Sequence, residues 1–289
     1  MNLNFSKLSN TSLIELHAVF LDAFSIYEIP LGFTLVQFTY LLERRGYDLD
    51  SSYGAFHEGK LIGYVINSIG MRDKQLSAYD ISTGLLREYH KKGIAQQLMT
   101  YTIAGLKEKG IQQYFLEVIR TNPTAFALYK RSGFVIHRDL NFYVFSKEAV
   151  SEKLNNKSTT VTFKEIKTPD WEMLSSFWDF EPTWQNSLDS VKGKAAKFKI
   201  IGAFKGEDCI GYGIMERHTG DIPQLAVHKD HRREGIGTVL LGELFACTGE
   251  DRVRLINVES GCEAFMGFVD FLGLTDEKGQ YEMRCGVDG

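Results

Sequence analysis

Two copies of one short pattern, 142 residues apart, most constrain how this chain can fold. In each copy a strand-like apolar run leads through basic residues to a glycine that opens a predicted helix, at Gly93-Ile94-Ala95 and at Gly235-Ile236-Gly237. Small residues let a ligand come close to the backbone, and the N–H groups at a helix start attract phosphate. Basic side chains beside the glycine add charge-assisted hydrogen bonds. The pattern therefore predicts a duplicated pyrophosphate-binding protein.

The order of predicted elements also repeats around the two loops. In each half, antiparallel strands lead into the glycine loop and its helix, and a strand, a helix and a last strand follow. The pairs Gly133-Phe134 and Gly273-Leu274 lie 140 residues apart, nearly the same offset as the glycine loops. A nearly constant offset of this kind indicates internal duplication.

The polar segment between the halves sets the predicted domain boundaries. Residues 146–160 carry charges and small polar side chains without a large apolar cluster, which is typical of a linker. We predict two tandem domains at residues 1–148 and 160–289, joined by a linker at 149–159. The predicted fold class is α/β (α+β), each domain a mixed, mostly antiparallel sheet flanked by helices. In a chain of 289 residues each half is long enough for its own core.

Composition excludes several classes of partner. The formal net charge of -4 argues against nucleic acid, and no apolar run reaches the length of about 18 residues that a membrane span needs. Residues 1–10 lack the form of a signal peptide. The 4 cysteines have no C-x-x-C spacing, which predicts free thiols rather than a zinc site. We expect a cytoplasmic protein without a metal, and the oligomeric state stays open.

A third set of residues carries a resemblance to a known family. It consists of His90-x-x-Gly93-x-Ala95, Leu116-Glu117-Val118, Asn122-x-x-Ala125 and Leu128-Tyr129-x-x-x-Gly133-Phe134. These residues and their spacing resemble the GNAT acetyltransferase superfamily. The resemblance is good across roughly residues 50–145 and moderate across 198–275. The resemblance implies acetyl-CoA as cosubstrate and transfer of its acetyl group to a primary amine of a small molecule or a protein.

Two other functions compete with this hypothesis. One is a catalytically decayed pair of domains that binds acyl-CoA or acts as a scaffold. The other, a nicotinamide-dinucleotide site, is disfavoured because Leu240 stands where the third glycine of that motif would be and because antiparallel strands precede the loop.

The resemblance also implies which residues contact CoA. In the first half they are Thr83, Gly84, Leu85, His90, Lys91, Lys92, Gly93, Ile94, Ala95, Gln96 and Asn122. In the second half they are Leu225, Ala226, Val227, Arg232, Arg233, Gly235, Ile236, Gly237 and Thr238. His90 departs from the family, which usually has Gln or Arg there, and the charge of a histidine depends on pH. A core strand, a solvated basic loop and a simple helix cap at Asn122 are the structural alternatives.

The candidate catalytic residues lie in the first half. The resemblance implies that Tyr129 donates a hydrogen bond or a proton to the CoA sulfur, a role that suits a phenol with an ordinary pKa of about 10. A core tyrosine is the alternative. Asp80 and Glu117 are both candidates for the base that takes a proton from the amine, directly or through water, and either is equally readable as a surface charge.

The second half lacks these side chains. At an offset of 140, Val269, Cys262 and Asn257 stand in place of Tyr129, Asn122 and Glu117. We therefore expect catalysis in the first half, while the number of halves that bind CoA stays open. The run 27–33, between two predicted helices, is either an acceptor-side loop or a plain connection.

Overall fold

A computed structural model of the chain describes residues 2–25, 31–155 and 161–287. The chain forms two compact units. The first consists of Met1–His137 together with Tyr281–Gly289, and the second of Arg138–Gln280. Residues 27–30 of the predicted acceptor-side loop lie outside the described residues.

The helices and strands follow the predicted order. Up to residue 131 they are β1 (Leu3–Lys7), α1 (Leu13–Ala23), α2 (Leu35–Arg44), β2 (Tyr47–His57), β3 (Lys60–Arg72), β4 (Gln75–Leu85), α3 (Ile94–Glu108), β5 (Gln113–Ile119) and α4 (Pro123–Arg131). Beyond it they are β6 (Val135–Ser146), α5 (Lys147–Asn155), β7 (Thr162–Glu165), α6 (Trp171–Ser175), α7 (Leu188–Lys192), β8 (Phe198–Lys205), β9 (Asp208–Glu216), β10 (Asp221–Ile222), β11 (Gln224–Val227), α8 (Ile236–Phe245), β12 (Arg252–Glu259), α9 (Glu263–Leu272) and β13 (Gln280–Gly286).

Local capping explains where several helices begin. Ser12 and Thr34 form capping boxes with the side chains three residues later, at the starts of α1 and α2. The Oδ1 atom of Asn122 accepts a hydrogen bond from the N–H of Ala125 at 3.0 Å, and Pro123 takes the first helical position of α4. Each of these caps joins residues only three positions apart, so the helix starts can be predicted from the local sequence.

In the first unit the strands lie in the order β1-β2-β3-β4-β5-β13. The β1-β2, β2-β3 and β3-β4 pairs are antiparallel, and β4 and β5 are parallel. One face of this sheet packs with α3 and α4 in a continuous apolar core. A buried ion pair between Arg72 and Glu282, with 2.8 Å between Nη1 and Oε1, ties β3 to β13.

In the second unit, β7, β8, β9 and β11 form an antiparallel sheet in the order β11-β9-β8-β7. A second group consists of β12 between β6 and β10, antiparallel to β6 and parallel to β10. Residues of these strands, of α5, α8 and α9 build the larger apolar core.

The division into units differs from the predicted boundaries at residues 148 and 160. Residues 138–146 of β6 pair with β12 in the second unit, and β13 is hydrogen-bonded beside β5 in the first. The predicted linker begins inside α5, where Val150 is buried in the core of the second unit. The prediction assumed that each half keeps its own strands, and strand pairing between distant residues overrides that assumption.

Two predicted elements also differ in extent. The sequence pattern predicts a helix at 170–178, whereas α6 ends at Ser175. The sequence pattern also predicts one strand at 222–227. This segment is divided at Pro223 into β10 and β11, because proline has no N–H to donate to a neighbouring strand.

Candidate functional site

In the first unit a cleft opens where β4 and β5 separate. The two strands pair only at Ser77–Tyr79 with Gln113–Phe115, although β4 continues to Leu85 and β5 to Ile119. On its other edge β4 stays paired with β3 up to Leu85. From Asp80 onward the edge of β4 toward β5 therefore has backbone groups that a ligand can bind. The glycine loop follows β4 directly, so this opening lies beside the predicted pyrophosphate site.

The predicted strand residues Thr83, Gly84 and Leu85 lie along this part of β4. A Cβ atom on Gly84 would come within 3.0 Å of the Tyr64 ring, so close packing alone accounts for a glycine there.

The loop after β4 presents the start of α3. Gly93 has φ +75° and Lys91 φ +59°, both in the left-handed region, and no side chain caps the helix. The first intrahelical hydrogen bond in this turn runs from the Gln97 N–H to the Gly93 carbonyl, at 3.2 Å. The N–H groups of Ile94, Ala95 and Gln96 therefore point out of the helix start, where they can bind an anion.

Side chains of this loop are held in defined places. The His90 ring, through Nε2, lies 3.0 Å from the Leu85 carbonyl oxygen. The Lys92 ammonium lies 5.0 Å from the centroid of the Tyr89 ring, and Gln96 donates to the hydroxyl of Ser132 on the loop after α4. His90, Lys91 and Lys92 are exposed, so their side chains remain accessible to a ligand.

The loop of the second unit has the same backbone geometry. Gly235 has φ +86° and Arg233 φ +66°, and α8 also begins without a side-chain cap. The Nε atom of Arg232 donates to the Val227 carbonyl at 3.1 Å. His90 and Leu85 stand 142 positions before Arg232 and Val227, so the two loops make the same tie between loop and strand with different side chains.

One contact distinguishes the second loop. The Nη1 atom of Arg232 lies 2.6 Å from Oδ1 of Asp179, whose side chain is only 15% exposed. Burial raises the pKa of Asp179, and the charge of Arg232 lowers it. The basic side chain that best fits the phosphate motif is thus already paired with a carboxyl group.

Two of the candidate catalytic residues meet on one face of the first unit's sheet. Asp80 is 6% exposed, and its Oδ2 accepts a hydrogen bond from Oγ1 of Thr83 at 2.6 Å. Burial raises the pKa of Asp80 to about 7, while hydrogen bonds from Thr83, the Ser82 backbone and Tyr129 lower it. Tyr129 lies in the apolar core, its ring edge-on to Phe134.

The third candidate lies on the opposite face. Along β5, Glu117 alternates with residues of the α3–α4 core, and it hydrogen-bonds to the Tyr79 side chain on β4. Burial raises the pKa of Tyr79 well above its usual value, and Glu117 acts in the same direction. The side chain of Arg45, just after α2, reaches the Ile81 carbonyl on this strand at 3.4 Å.

Sequence reasoning missed Tyr79. Its neighbour Asp80 is the charged residue of this strand, and no local sequence feature distinguishes Tyr79 from a core tyrosine. The available signal was alternation: Tyr79 and Asp80 are adjacent, so a strand directs them to opposite faces.

The second unit also has a cleft, at the division between β10 and β11. It holds roughly 440 Å³, counting open solvent at its mouth, and Leu225 and Ala226 from the predicted set line it. Asp179 and Asn257 lie on its wall. Asn257 sits at a bulge of β12 with φ +61°, and its side chain is bonded to Thr183 and Gln280 at 2.8 Å each.

Several polar groups of the first unit have apolar counterparts in the second. Ile222, Leu225 and Val269 stand where the first unit has Asp80, Thr83 and Tyr129, and all three belong to one apolar core. At the start of α9, Cys262 forms no side-chain cap of the kind that Asn122 forms.

The comparison with protein families gives one match in each half of the chain. The model of the Acetyltransferase (GNAT) family matches residues 15–134 and again residues 162–260. The chain belongs to the GNAT acetyltransferase family. The two matches contain the two glycine loops, so the family assignment and the predicted duplication are both confirmed.

The individual curated relatives match only about a third of this chain. The chain is 32% identical over 101 residues to the N-alpha-acetyltransferase MAK3 of Arabidopsis thaliana, covering 35% of this chain and 53% of that protein. It is 28% identical over 104 residues to the N-terminal acetyltransferase A complex catalytic subunit NAA10 of the same plant, covering 35% and 54%. The chain thus spans about half the length of these curated relatives.

Solved structures show the same fold over the whole chain. A tandem GNAT protein from the clavulanic acid biosynthesis pathway covers 100% of this chain and 99% of its own, with 11% identity and a TM-score of 0.73. A GCN5-related N-acetyltransferase from Sphaerobacter thermophilus covers 99% and 96%, with 14% identity and a TM-score of 0.72. The predicted fold class, tandem GNAT-like domains of mixed sheets and helices, is confirmed.

The loops of this tandem GNAT protein fit the pyrophosphate of acetyl-CoA, the cosubstrate of the family. A Cβ atom at Gly93 would have only the Gln97 amide within 4 Å, at 3.9 Å, so the space beside the helix start is open. In the described part of the chain no group of three or more His, Cys, Asp or Glu side chains is placed to hold a metal ion. Among the same residues no helix is both long and apolar enough to cross a membrane.

Proposed function

We propose that this GNAT protein is an N-acetyltransferase that moves an acetyl group from acetyl-CoA to a primary amine, and that the first unit carries the reaction. The observation that carries the proposal is the arrangement at the point where β4 and β5 separate. Tyr129 and the Glu117–Tyr79 pair lie there on opposite faces of one sheet. Two groups that handle protons thus flank one opening.

The acceptor class that we propose to test first is the α-amino group of a protein N-terminus. Both curated relatives are named as acetyltransferases of this kind. A small-molecule amine remains the competing acceptor, because the identities to these relatives cover only 35% of the chain.

On the acceptor side, the proposed base is Glu117. An alkylammonium group must lose a proton before its nitrogen can attack a carbonyl carbon, and a carboxylate can take that proton directly or through one water. Glu117 is partly exposed and accepts a hydrogen bond from the Tyr79 hydroxyl, which holds its carboxylate at the cleft. Asp80 is less suited to this role, because it is buried on the other face with Tyr129.

On the donor side, acetyl-CoA supplies the thioester whose sulfur leaves as a thiolate when the amide forms. Backbone N–H groups on the open edge of β4 beyond Tyr79 can stabilise the carbonyl oxygen as it gains negative charge. The Tyr129 hydroxyl is the proposed proton donor to the sulfur. The helix start at Gly93, with Lys91 and Lys92, would hold the pyrophosphate and so fix the position of the thioester.

For the second unit we propose CoA binding without catalysis. Its loop retains the left-handed glycine and the open helix start, while Val269 and Ile222 have no proton to exchange. This combination is also what a decayed acyl-CoA-binding unit would keep.

Acetyl-CoA turnover tests the proposal directly. The purified full chain is incubated with acetyl-CoA and three sets of acceptors: peptides with free N-termini, the same peptides with blocked N-termini and a free lysine, and small primary amines. Thiol release and the acetylated product are both measured. Acetylation of one set supports the proposal and identifies the acceptor class. Tight CoA binding without thiol release in any set would instead favour the decayed, acyl-CoA-binding alternative.

A further inference from the structure

The buried carboxyl group of Asp80 is not explained by the fold. Its side chain is 6% exposed, and its Oδ1 atom is buried without a hydrogen bond of standard geometry among the described residues. Removing a carboxyl group from water is costly unless hydrogen bonds compensate for the loss. Thr83, the Ser82 N–H and the Tyr129 side chain provide part of that compensation.

The second unit shows that this position can be apolar. Ile222, Leu225 and Val269 replace Asp80, Thr83 and Tyr129, and they pack together in the core. All three members of the polar group are present in one unit and all three are absent from the other. Groups that bond to each other in a buried site are kept or lost together, because a partner left alone loses its compensation. Tyr129 is the member of this set with a role in the proposed reaction, so Asp80 and Thr83 are placed to act through Tyr129.

We propose that Asp80 is a positioning residue that stores a proton behind Tyr129 and returns it to the tyrosine during each turnover. This role rests on the proposed function of the first unit. Tyr129 gives its hydroxyl proton to the departing thiolate, so an S–H bond forms and an O–H bond breaks. The protonated carboxyl group of Asp80 then gives its proton to the Tyr129 oxygen, and the resulting carboxylate keeps the hydrogen bonds from Thr83 and Ser82. The nitrogen loses two protons between the ammonium and the amide. One returns to Asp80 through the base and solvent, replacing the proton that ends on the CoA thiol, and the other is released to solvent, so the cycle is balanced.

Ordinary acidities support a second acid at this place. A tyrosine with a pKa of about 10 gives its proton uphill to a thiolate whose conjugate acid has a pKa of about 8.5. A carboxyl group with a pKa of about 7 makes the combined transfer downhill. The Thr83 hydroxyl is already placed to stabilise the carboxylate that remains, since it bonds to Oδ2 at 2.6 Å.

The other titratable groups near Asp80 keep their protons around neutral pH. Tyr114 on β5 interacts electrostatically with Asp80, Tyr129, Cys285 on β13 and Tyr53 on β2. Burial raises the pKa of Tyr114 well above its usual range, that of Tyr53 to about 12 and that of Cys285 to about 11.

Tyr79, next to Asp80 on β4, also has a strongly raised pKa. Its hydroxyl is bonded to Glu117, which lies with it on the other face of the sheet. Asp80 is therefore the member of this buried cluster expected to change charge near pH 7.

The test is a double-mutant cycle measured as a function of pH with the full chain. We expect wild-type kcat to fall above about pH 7, where Asp80 loses its stored proton. Asp80→Asn should lose this fall and lower kcat about 10- to 100-fold at pH 6, with the KM for acetyl-CoA unchanged. Asp80→Asn in a Tyr129→Phe background should add little, because both changes interrupt one path.

A second variant keeps the proposal testable if Asp80→Asn does not fold. Thr83→Val removes a hydrogen bond that lowers the pKa of Asp80, so the fall in kcat should move to higher pH. Losses that multiply in the double variant, or a fall in kcat that stays in place in Asp80→Asn, would overturn the role of Asp80 alone. Absence of wild-type turnover with every amine would instead overturn the proposed function, and this role with it.

Discussion

The two units share the backbone geometry of the glycine loop and differ in the side chains beside it. Gly93 and Gly235 both adopt the left-handed conformation and both open a helix that has no side-chain cap. The first unit adds Asp80, Thr83 and Tyr129 at its cleft, and the second has the apolar Ile222, Leu225 and Val269 at the matching positions. The comparison teaches that this uncapped helix start depends on the backbone conformation of its glycine and occurs both with and without polar side chains nearby.

The loops also differ in how their basic residue is used. His90 lies against the Leu85 carbonyl and is exposed, whereas Arg232 makes the equivalent contact and is also paired with Asp179. A carboxylate beside a phosphate site repels the ligand, so the loop that fits the sequence motif better is not necessarily the better binding site.

The largest difference between the units should appear on removal of one hydroxyl group. We predict that Tyr129→Phe lowers kcat by about 10²- to 10⁴-fold, because a proton donor is lost while the ring remains packed on Phe134. CoA affinity should be nearly unchanged. Tyr101→Phe is the control, since Tyr101 is 42% exposed on α3. Normal rates for Tyr129→Phe, combined with a collapse for Arg232→Ala, would move catalysis to the second unit.

Asp80 should also make the stability of the protein depend on pH in a way that Ile222 cannot. Its pKa is about 7 in the folded chain and 3.8 as an ordinary value, so the folded state binds more protons between these limits. Stability should therefore fall by about 4 kcal/mol as pH rises from about 4 to 7, and then level off.

Denaturant unfolding at several pH values measures this effect. Asp80→Asn should abolish this component and be more stable than wild type above pH 7. Parallel pH curves for the two proteins would show that Asp80 does not have a raised pKa in the folded chain.

Blocking each glycine loop in turn counts the binding sites. A valine at either glycine would adopt a left-handed conformation at a cost of about 1–2 kcal/mol and place methyl groups where the pyrophosphate would bind. Gly93→Val should abolish one CoA site and all turnover, and Gly235→Val should abolish a second site and leave turnover. Native mass spectrometry gives the number of CoA molecules per chain. CoA affinity that is unchanged with both loops altered would refute the location of the sites.

The smallest effect concerns the carboxyl group at the second loop. Asp179→Asn removes the charge opposite Arg232 and should strengthen CoA binding at the second unit by a few-fold, about 1 kcal/mol or less. Calorimetric titration of the Gly93→Val background isolates this site. Weaker binding in Asp179→Asn would mean that Asp179 orients Arg232 rather than competing with the ligand.

Local signals made much of this fold readable from the sequence. The sequence pattern predicts a strand at 113–119 and helices at 123–131 and 263–272, and β5, α4 and α9 occur at these residues. Capping and turn residues such as Asn122, Pro123 and Gly273 beside the helix ends make this possible. The pattern also predicts both glycine loops. What it could not provide were choices between distant partners: the pairing of Asp80 with Tyr129, of Glu117 with Tyr79, and of β13 with β5.

The place of β13 has a consequence for how the protein is made. The first unit takes its last strand from residues 281–286, and the buried Glu282 pairs there with Arg72, 210 positions earlier. During synthesis, residues 1–137 leave the ribosome long before that strand exists, so their sheet waits with the edge of β5 uncovered. The first unit can therefore reach its final form only after residue 286 has been translated, and a premature stop between residues 138 and 280 would leave its sheet without this strand.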